Sequence, residues 1–299
     1  MYRSGAKAVL ERNVRNLVRR VALRAKAFMQ ADDARDFERD DFAYRWLNFV
    51  LTGLLAPAGD ELRPNYTWGI LHAAHLARAL GVSRISAIEF GVAGGNGLLA
   101  MERAADRIEP IFGVGIDVHG FDTGAGLPEP RDYRDAPNLY TRTAYTMDVE
   151  KLRKRLTRAQ LHLGLIEETM RTFMASQPAP VGFISFDVDY YSSTLDAFQL
   201  LAAPEALLLP RIHCYFDDAL GFTHSDFTGE RLAIAEFNRT HSSRKISQIY
   251  GLRHFVPRRH ANEAWVEIMY LVHVFDHSLY GKPDGLVRRI TGLSTDLKT

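Results

Sequence analysis

Residues 83–97 read SRISAIEFGVAGGNG, and this stretch decides the fold of the chain. The apolar, β-branched run at its start is typical of a buried strand. Gly91, Gly94 and Gly95 follow, and glycines at such a point let the backbone turn sharply and approach a ligand beside the first turn of a helix. The stretch therefore predicts a strand, a ligand-binding glycine turn and a helix, in that order.

The acid before these glycines narrows the choice of ligand. Glu89 lies two residues before Gly91, and the glycine spacing differs from the GxGxxG pattern of dinucleotide-binding proteins. A carboxylate at this position would repel a pyrophosphate, whereas it suits a ligand that carries an amino group and a positive charge. The alternative is that the glycines only allow the strand to pack closely on the helix.

Further along the chain, short apolar runs alternate with segments of helical periodicity. Strands are expected at 85–90, 111–121, 161–165, 181–186, 212–216, 246–250 and 265–275, and helices at 97–107, 167–175, 194–201 and 228–238. This alternation favours a parallel sheet that is covered on both faces. We predict an α/β fold with a doubly wound, mostly parallel, Rossmann-like sheet of about seven strands and helices on both faces.

The N-terminal part has a different pattern. Arg and Lys alternate with apolar residues at helical spacing in the first thirty residues, an acidic run follows, and a second helical stretch at 42–55 ends in the breaker AlaProAlaGly at 56–59. We predict an N-terminal helical arm at 1–60 and a Rossmann-like domain at 61–299. The basic helix is expected to pack on the protein body or a partner subunit, with a membrane surface or an anionic partner as the alternative.

The overall composition argues against several classes of function. The 299 residues carry a formal net charge of +1, so nothing supports binding along a nucleic-acid backbone. The single cysteine, Cys214, cannot form an internal disulfide and fits a reducing compartment. Neither a transmembrane run nor the apolar core of a secretory signal is visible. We expect a cytoplasmic homo-oligomer that acts on a small-molecule substrate.

Four acids follow two of the predicted strands. Asp187 and Asp189 come directly after the strand at 181–186, and Asp217 and Asp218 come after the strand at 212–216. Because the carboxyl ends of parallel strands meet at one edge, the four carboxylates would raise one another's pKa unless a cation or protons offset their charge. Oxygen ligands of this kind suit Mg²⁺, Mn²⁺ or Ca²⁺. The alternative is that these acids cap the turns after the strands.

Several strings resemble segments of the macrocin O-methyltransferase family, a group of class I S-adenosylmethionine-dependent methyltransferases. They are EFGVAGG at 89–95, GFDTGAGLPEP at 120–130, DVDYYSSTLDAF at 187–198, and FDD at 216–218 with GERLAIAEFN at 229–238. The resemblance covers roughly residues 65–238. It implies metal-assisted methyl transfer, with Mg²⁺ as the expected cation, from S-adenosylmethionine to a hydroxyl group of a sugar or another small metabolite.

The resemblance also implies roles for individual residues. The methionine part of the cofactor would be bordered by Glu89, Gly91, Gly94 and Gly95, and the adenine by Leu165 and Ile166. The metal would be held by Asp187, Asp217 and Asp218, and the general base would be Asp189. Tyr66 and Trp68 resemble aromatic residues that cover the cofactor in related enzymes. The chain departs from the family at Val188, where glycine is common, and at Ser192, where an acid is common.

The acid that would bind the cofactor ribose has two candidates, because the second strand of a doubly wound fold usually ends in such an acid. Asp117 lies in GVGID, which has the generic pattern. Asp122 leads the string that resembles the methyltransferase family, and this resemblance favours it.

The remaining motifs give weaker predictions. His224, six residues after Asp218, is expected to overhang the crevice as a catalytic or substrate-contacting residue. Ser193 and Asp196 have the spacing of a capping box, which predicts the start of a helix there. Two other functions stay open, an NAD(P)-dependent oxidoreductase and a non-catalytic Rossmann-fold assembly protein that acts through its basic N-terminal helix.

Overall fold

The computed structural model describes residues 42–55, 62–221 and 223–283. The predicted basic helix and the acidic run after it lie outside the described residues. The helices are α1 (Phe42–Leu54), α2 (Pro64–Leu80), α3 (Asn96–Phe112), α4 (Val149–Arg155), α5 (Ile166–Ala175), α6 (Tyr191–Phe198) and α7 (Gly229–Thr240). The strands are β1 (Arg84–Phe90), β2 (Gly115–Asp122), β3 (Gln160–Leu163), β4 (Val181–Phe186), β5 (Leu208–Phe216), β6 (Arg244–Gln248) and β7 (Met269–Val274).

The seven strands form one sheet in the order β3-β2-β1-β4-β5-β7-β6. Strands β1 to β5 pair in parallel, and β7 runs antiparallel to both β5 and β6. One helical layer contains α1, α2 and α3 in mutual contact, and another contains α5, α6 and α7. All six residues of β4 are buried, as expected for a strand covered on both faces. The predicted doubly wound α/β fold is confirmed.

The order of the strands reverses between β1 and β4. In an open parallel sheet, ligands bind outside the carboxyl ends of the strands at such a reversal. The glycine stretch follows β1 and the first acid pair follows β4. The topology therefore brings the two strongest sequence signals to one crevice.

A row of phenylalanines forms the floor beneath this crevice. Phe121, Phe90, Phe186 and Phe216 are in cross-strand register on β2, β1, β4 and β5. Neighbouring ring centroids lie 5.1, 5.5 and 4.4 Å apart along the row, and each side chain is fully buried. In each strand the residue after the phenylalanine lines the crevice, so the row marks the boundary between the apolar core and the site.

Helix α1 packs against the main body of the chain. Leu47 and Leu51 are fully buried, the Trp46 ring meets the Phe112 ring edge-on at 5.5 Å, and Arg107 donates a hydrogen bond to the Leu54 carbonyl. The second helix predicted in the N-terminal arm is therefore present. The division between arm and domain at residue 60 stays a prediction.

Several local boundaries differ from the prediction. The strand predicted at 265–275 begins at Met269, after a 3₁₀ turn at Ala264–Glu267. The strand predicted from residue 111 begins at Gly115, because α3 continues through Pro110 to Phe112 and ends at Gly113, whose φ is 68°. The capping box of Ser193 does not form either: α6 begins at Tyr191, and no side chain of its own caps it. The cap comes from Asp135, which accepts the Ser192 N–H at 2.8 Å from outside the helix.

Candidate functional site

A cavity of about 680 Å³ opens at the carboxyl ends of β1, β2, β4 and β5. This volume lies within the range of small-molecule and cofactor sites, which is roughly 300–1,000 Å³. Its lining includes the glycine loop and Glu89 together with Asp187, Asp189, Asp217 and Asp218. The structure thus brings the two groups of sequence-predicted site residues into one space.

The three glycines of the loop each occupy a position that a larger residue would disturb or block. Gly91 has a φ of 83°, and a Cβ atom there would lie 1.7 Å from the Asp187 carbonyl oxygen, so no other residue fits between β1 and β4. Gly95 has a φ of 80° and is the N-cap of α3. A Cβ atom on Gly94 would meet nothing within 4 Å, because this glycine lines the open cavity.

Glu89 is a buried carboxylate that lacks a full set of partners. Its side chain is 2% exposed, and Oε1 accepts a hydrogen bond of 2.8 Å from the Tyr66 hydroxyl, whereas Oε2 has no hydrogen-bond partner. Burial raises the pKa of Glu89 to about 7, although hydrogen bonds from Tyr66 and from the Leu98 N–H oppose the shift. A ligand that brings a cationic donor to Oε2 would stabilise the ionised form.

Tyr66 is the residue that holds Glu89 in place. It is fully buried, and its hydroxyl accepts hydrogen bonds from Ser185 at 2.8 Å and from Arg63 at 3.1 Å. Neither Tyr66 nor Trp68 lines the cavity. Trp68 instead stacks on His72 with a centroid distance of 4.1 Å, so the expectation that these two aromatics cover a cofactor is not met.

The two ribose candidates lie at opposite ends of β2. Asp122 ends the strand and lines the cavity, where Oδ2 accepts the N–H groups of Val92 and Ala93 at 2.9 Å and Oδ1 accepts that of Gly124 at 2.7 Å. Asp117 lies five residues earlier, in a partly exposed ion pair with Arg84, and is not part of the cavity lining. Only Asp122 is positioned to meet a ligand.

The pKa values of Asp187 and Asp189 are both raised strongly. Burial, together with the charges of Asp217, Glu89, Asp218 and Asp189, raises the pKa of Asp187 to about 8. Burial and the charges of Asp218 and Asp217 raise the pKa of Asp189 to about 7. Asp189 also has a φ of 59°, in the left-handed region that residues other than glycine adopt uncommonly. Strained residues of this kind concentrate at functional sites.

Asp217 and Asp218 form a short 3₁₀ turn after β5, and protein donors hold both of them. Asp217 accepts the Tyr215 hydroxyl at 2.5 Å. Asp218 accepts the Tyr140 hydroxyl at 2.8 Å and the Asp189 N–H at 3.1 Å. Burial raises the pKa of Asp218. The second acid pair is therefore connected to the first through the hydrogen bond that the Asp189 N–H donates to Asp218.

The acids suit a hard cation chemically, but their side chains do not form a finished metal site. Their oxygens are the ligand type of Mg²⁺, Mn²⁺ and Ca²⁺, and the raised pKa values of Asp187 and Asp189 mean that a cation would relieve the repulsion that these two carboxylates experience. Within residues 42–55, 62–221 and 223–283, however, no group of three or more His, Cys, Asp or Glu side chains is arranged to hold a metal ion. Ligation by Asp187, Asp217 and Asp218 would require these side chains to shift.

The other predicted site residues have different positions. Leu165 and Ile166 line the cavity at the start of α5. His224 does not line the cavity, although its charge lowers the pKa of Asp218. The site as described therefore gives His224 no direct contact with a ligand.

Sequence reasoning missed several residues of the site. The long loop between β2 and α4 brings Tyr140 and Tyr145 to the acids, and Arg63 lines the cavity from the start of α2. Glu230 is fully buried behind the acids, where its Oε2 accepts the Asp218 N–H at 3.0 Å. Only Glu230 had a signal in the sequence, since it falls in the string at 229–238 that resembles the methyltransferase family.

The chain is similar to solved O-methyltransferases. The calicheamicin methyltransferase CalS11 is 21% identical, with 76% of this chain and 91% of that chain covered and a TM-score of 0.44. The O-methyltransferase NovP is 12% identical, with 86% and 97% covered and a TM-score of 0.48. An O-methyltransferase from Bacillus cereus, solved in complex with SAH, is 15% identical, with 79% and 93% covered and a TM-score of 0.35.

Two other comparisons gave no match. Neither a family model nor a curated protein sequence matches the chain.

Among the described residues, no helix has the length and apolar character needed to cross a membrane.

Proposed function

We propose that the protein is an S-adenosylmethionine-dependent O-methyltransferase that acts on a hydroxyl group of a sugar or another small metabolite with the help of a divalent cation. The observation that carries the proposal is the shared cavity of about 680 Å³, which is lined both by the glycine loop with Glu89 and by four aspartates. A methyl donor and a hydroxyl acceptor need such neighbouring sites, because the donor sulfur and the acceptor oxygen must lie in line with the methyl group.

The cofactor half of the cavity fits a ligand with an amino group. Glu89 keeps one oxygen without a partner, and the first turn of α3 points at the same carboxylate, since a Cβ atom on Gly97 would lie 1.8 Å from Oε1. Gly94 leaves room for a ligand to approach the backbone. Asp122 holds the loop from the side of the ribose position, and Leu165 and Ile166 offer an apolar edge for the adenine.

The acceptor half supplies a base suited to neutral pH. Asp189, with a pKa of about 7, accepts the proton of the acceptor hydroxyl as the oxygen forms its bond to the methyl carbon and the bond from that carbon to the sulfonium sulfur breaks. The products are a methyl ether, a neutral thioether and a protonated Asp189. The Asp189 N–H donates a hydrogen bond to Asp218, which holds the left-handed backbone that carries this carboxylate.

A divalent cation would be held by Asp187, Asp217 and Asp218. When bound, it lowers the pKa of the acceptor hydroxyl and orients neighbouring oxygens of the acceptor. The support for this part of the proposal is the charge of the cluster and its oxygen-only donors. A cytoplasmic location and a homo-oligomeric assembly stay predictions from the sequence.

Calorimetric titration tests the cofactor. We expect S-adenosylhomocysteine to bind with one site per chain and NAD⁺ and NADP⁺ to show no heat of binding. The Glu89→Gln variant should lose affinity for S-adenosylhomocysteine, because a neutral amide replaces the partner of the ammonium group. Binding of NAD⁺ in place of S-adenosylhomocysteine would overturn the proposal.

Transfer of labelled methyl groups tests the reaction and the cation. Purified protein is incubated with methyl-labelled S-adenosylmethionine and a panel of sugars with neighbouring hydroxyl groups, in Mg²⁺ or in EDTA. We expect turnover that Mg²⁺ stimulates, loss of this stimulation in Asp217→Asn, and unchanged binding of S-adenosylhomocysteine by that variant. Asp226→Asn is the matched control, since Asp226 is an exposed acid outside the cavity that pairs with Arg231. Equal losses of turnover and cofactor binding in Asp217→Asn would make the cluster structural.

A further inference from the structure

The cofactor half of the cavity contains a cation that the proposed reaction does not use. Arg63 is the N-cap residue of α2 and lines the cavity beside Glu89. Its side chain donates to the Tyr66 hydroxyl at 3.1 Å, and its guanidinium carbon lies 5.1 Å from the centre of the Tyr66 ring. Because Tyr66 is fully buried and fixed by Ser185 and Glu89, this contact fixes the position of the guanidinium group.

The guanidinium group of Arg63 forms no ion pair with a described acid. Among the described residues, no carboxylate lies within ion-pair distance of its guanidinium group, and the hydrogen bond to Tyr66 occupies one of its five N–H donors. By contrast, the other arginine that lines the cavity, Arg131, is paired with Asp196 at 2.7 Å. Arg63 therefore presents unused donors to any ligand in this half of the cavity.

Glu89 presents the complementary charge on the same side. Its Oε2 atom is buried and has no hydrogen-bond partner, and the single hydroxyl of Tyr66 bridges Glu89 to Arg63. An α-amino acid carries its ammonium and carboxylate groups on one carbon, so partners for the two must lie side by side. An acid and an arginine that share one tyrosine meet this condition, whereas a pyrophosphate ligand would be attracted by Arg63 and repelled by Glu89.

We infer that Arg63 binds the α-carboxylate of the ligand and that Arg63 and Glu89 together select a ligand with an intact zwitterionic amino-acid end. The inference rests on the proposed function, since it assigns this end to the amino-acid part of the methyl donor. A guanidinium group pairs with a carboxylate through parallel N–H donors, which gives Arg63 a geometric role that lysine cannot fully replace.

Calorimetry with two ligands tests this assignment. The first ligand is S-adenosylhomocysteine, and the second is its analogue without the α-carboxylate, 5′-(3-aminopropylthio)-5′-deoxyadenosine. We expect wild-type protein to bind the first ligand about tenfold tighter or more, because a hydrogen bond to a charged group is lost in the second. Arg63→Met should lower affinity for S-adenosylhomocysteine to that of the analogue and leave affinity for the analogue unchanged. Arg63→Lys should recover part of the difference.

Control variants separate ligand binding from a structural role. Arg131→Met removes the other arginine of the cavity and should keep the full preference for S-adenosylhomocysteine. Tyr66→Phe removes the hydroxyl that Arg63 contacts and shows how the affinities for both ligands change when only this support is lost. If Arg63 acted only by supporting Tyr66, Arg63→Met would lower the affinities for both ligands by the same factor, and the inference would be overturned. Equal binding of the two ligands by wild-type protein would also overturn it. If wild-type protein binds neither ligand, the proposed function itself fails, which is a distinct result.

Discussion

The carboxylate of Asp122 accepts the N–H group of Val92 at 2.9 Å, and this bond joins the end of β2 to the glycine loop that follows β1. The same carboxylate accepts the N–H groups of Ala93 and Gly124. A charged acceptor makes stronger hydrogen bonds than a neutral one. Asp122 therefore organises the cofactor side of the cavity before any ligand arrives.

Replacing Asp122 by alanine should destabilise the protein and weaken cofactor binding together. Loss of the charged acceptor is expected to cost about 2 kcal/mol or more, which corresponds to a fall in Tm of roughly 4–8 °C in a domain of this size. Asp117→Ala is the matched control on the same strand, and removal of its exposed ion pair should cost less than about 1 kcal/mol. Thermal unfolding and S-adenosylhomocysteine titration measure both effects, and equal losses in the two variants would contradict the role of Asp122.

Methyl transfer should increase with pH around neutrality. Asp189 acts as a base only when ionised, and its pKa without a bound cation is about 7, so kcat measured in EDTA should rise as the pH passes through 7 and then level off. A bound cation offsets the charges of Asp217 and Asp218, so in Mg²⁺ the same rise should lie at lower pH. Asp189→Asn should lower kcat by about 10²–10⁴-fold and remove this pH dependence, with little change in S-adenosylhomocysteine affinity. A pH profile that survives in Asp189→Asn would assign the base to another residue.

Asp187→Asn should stabilise the ligand-free protein at alkaline pH. The pKa of Asp187 is raised from 3.8 to about 8, so the folded state holds the proton more tightly than the unfolded state, and stability falls as the pH rises between these values. The amide removes this loss, and a gain of 1 kcal/mol raises Tm by roughly 2–4 °C. The gain should shrink as the pH is lowered towards 3.8. Thermal melts between pH 5.5 and 8.5 without added cation measure the difference in Tm between Asp187→Asn and wild-type protein. A difference that does not change with pH would mean that ionisation of Asp187 does not destabilise the folded state.

Protonation of buried histidines should destabilise the protein in acid. Burial lowers the pKa of His119 from 6.5 to about 4, so the unfolded state takes up a proton first and stability is lost as the pH falls through this interval. The His119 ring also shares a hydrogen bond of 3.2 Å with His162. His119→Leu should flatten the acid limb of a plot of Tm against pH, whereas His254→Leu, at an exposed position, should leave it unchanged. Parallel acid limbs for His119→Leu and wild-type protein would refute this origin.

The strand ends of the fold could be predicted from the sequence because they combine two independent signals. The buried runs before Gly91, Asp187 and Asp217 are apolar and β-branched or aromatic, and each ends abruptly in glycine or acid. A parallel sheet then places these ends at one edge whatever the lengths of the helices between them. The confirmed crevice depends on this topological rule rather than on any local detail.

The residues that complete the site could not be predicted in the same way. Tyr140 reaches Asp218 across 78 positions of sequence, and Asp135 caps α6 across 57. Both lie in the loop between β2 and α4, which has no periodicity that would reveal its path. The capping box at Ser193 was wrong for the same reason, since a distant carboxylate took the place of a local one.

The phenylalanine row beneath the crevice has a consequence for how protons reach the acids. The four buried rings from Phe121 to Phe216 present an apolar surface beneath the carboxylates, so the direct route by which these acids exchange protons with bulk water is the mouth of the cavity. A ligand that fills that mouth would slow proton exchange between Asp189 and bulk water for as long as the ligand stays. Each turnover would then end with a proton on Asp189 that leaves when the product does. The rate of product release would limit how fast Asp189 is ready to act as a base again.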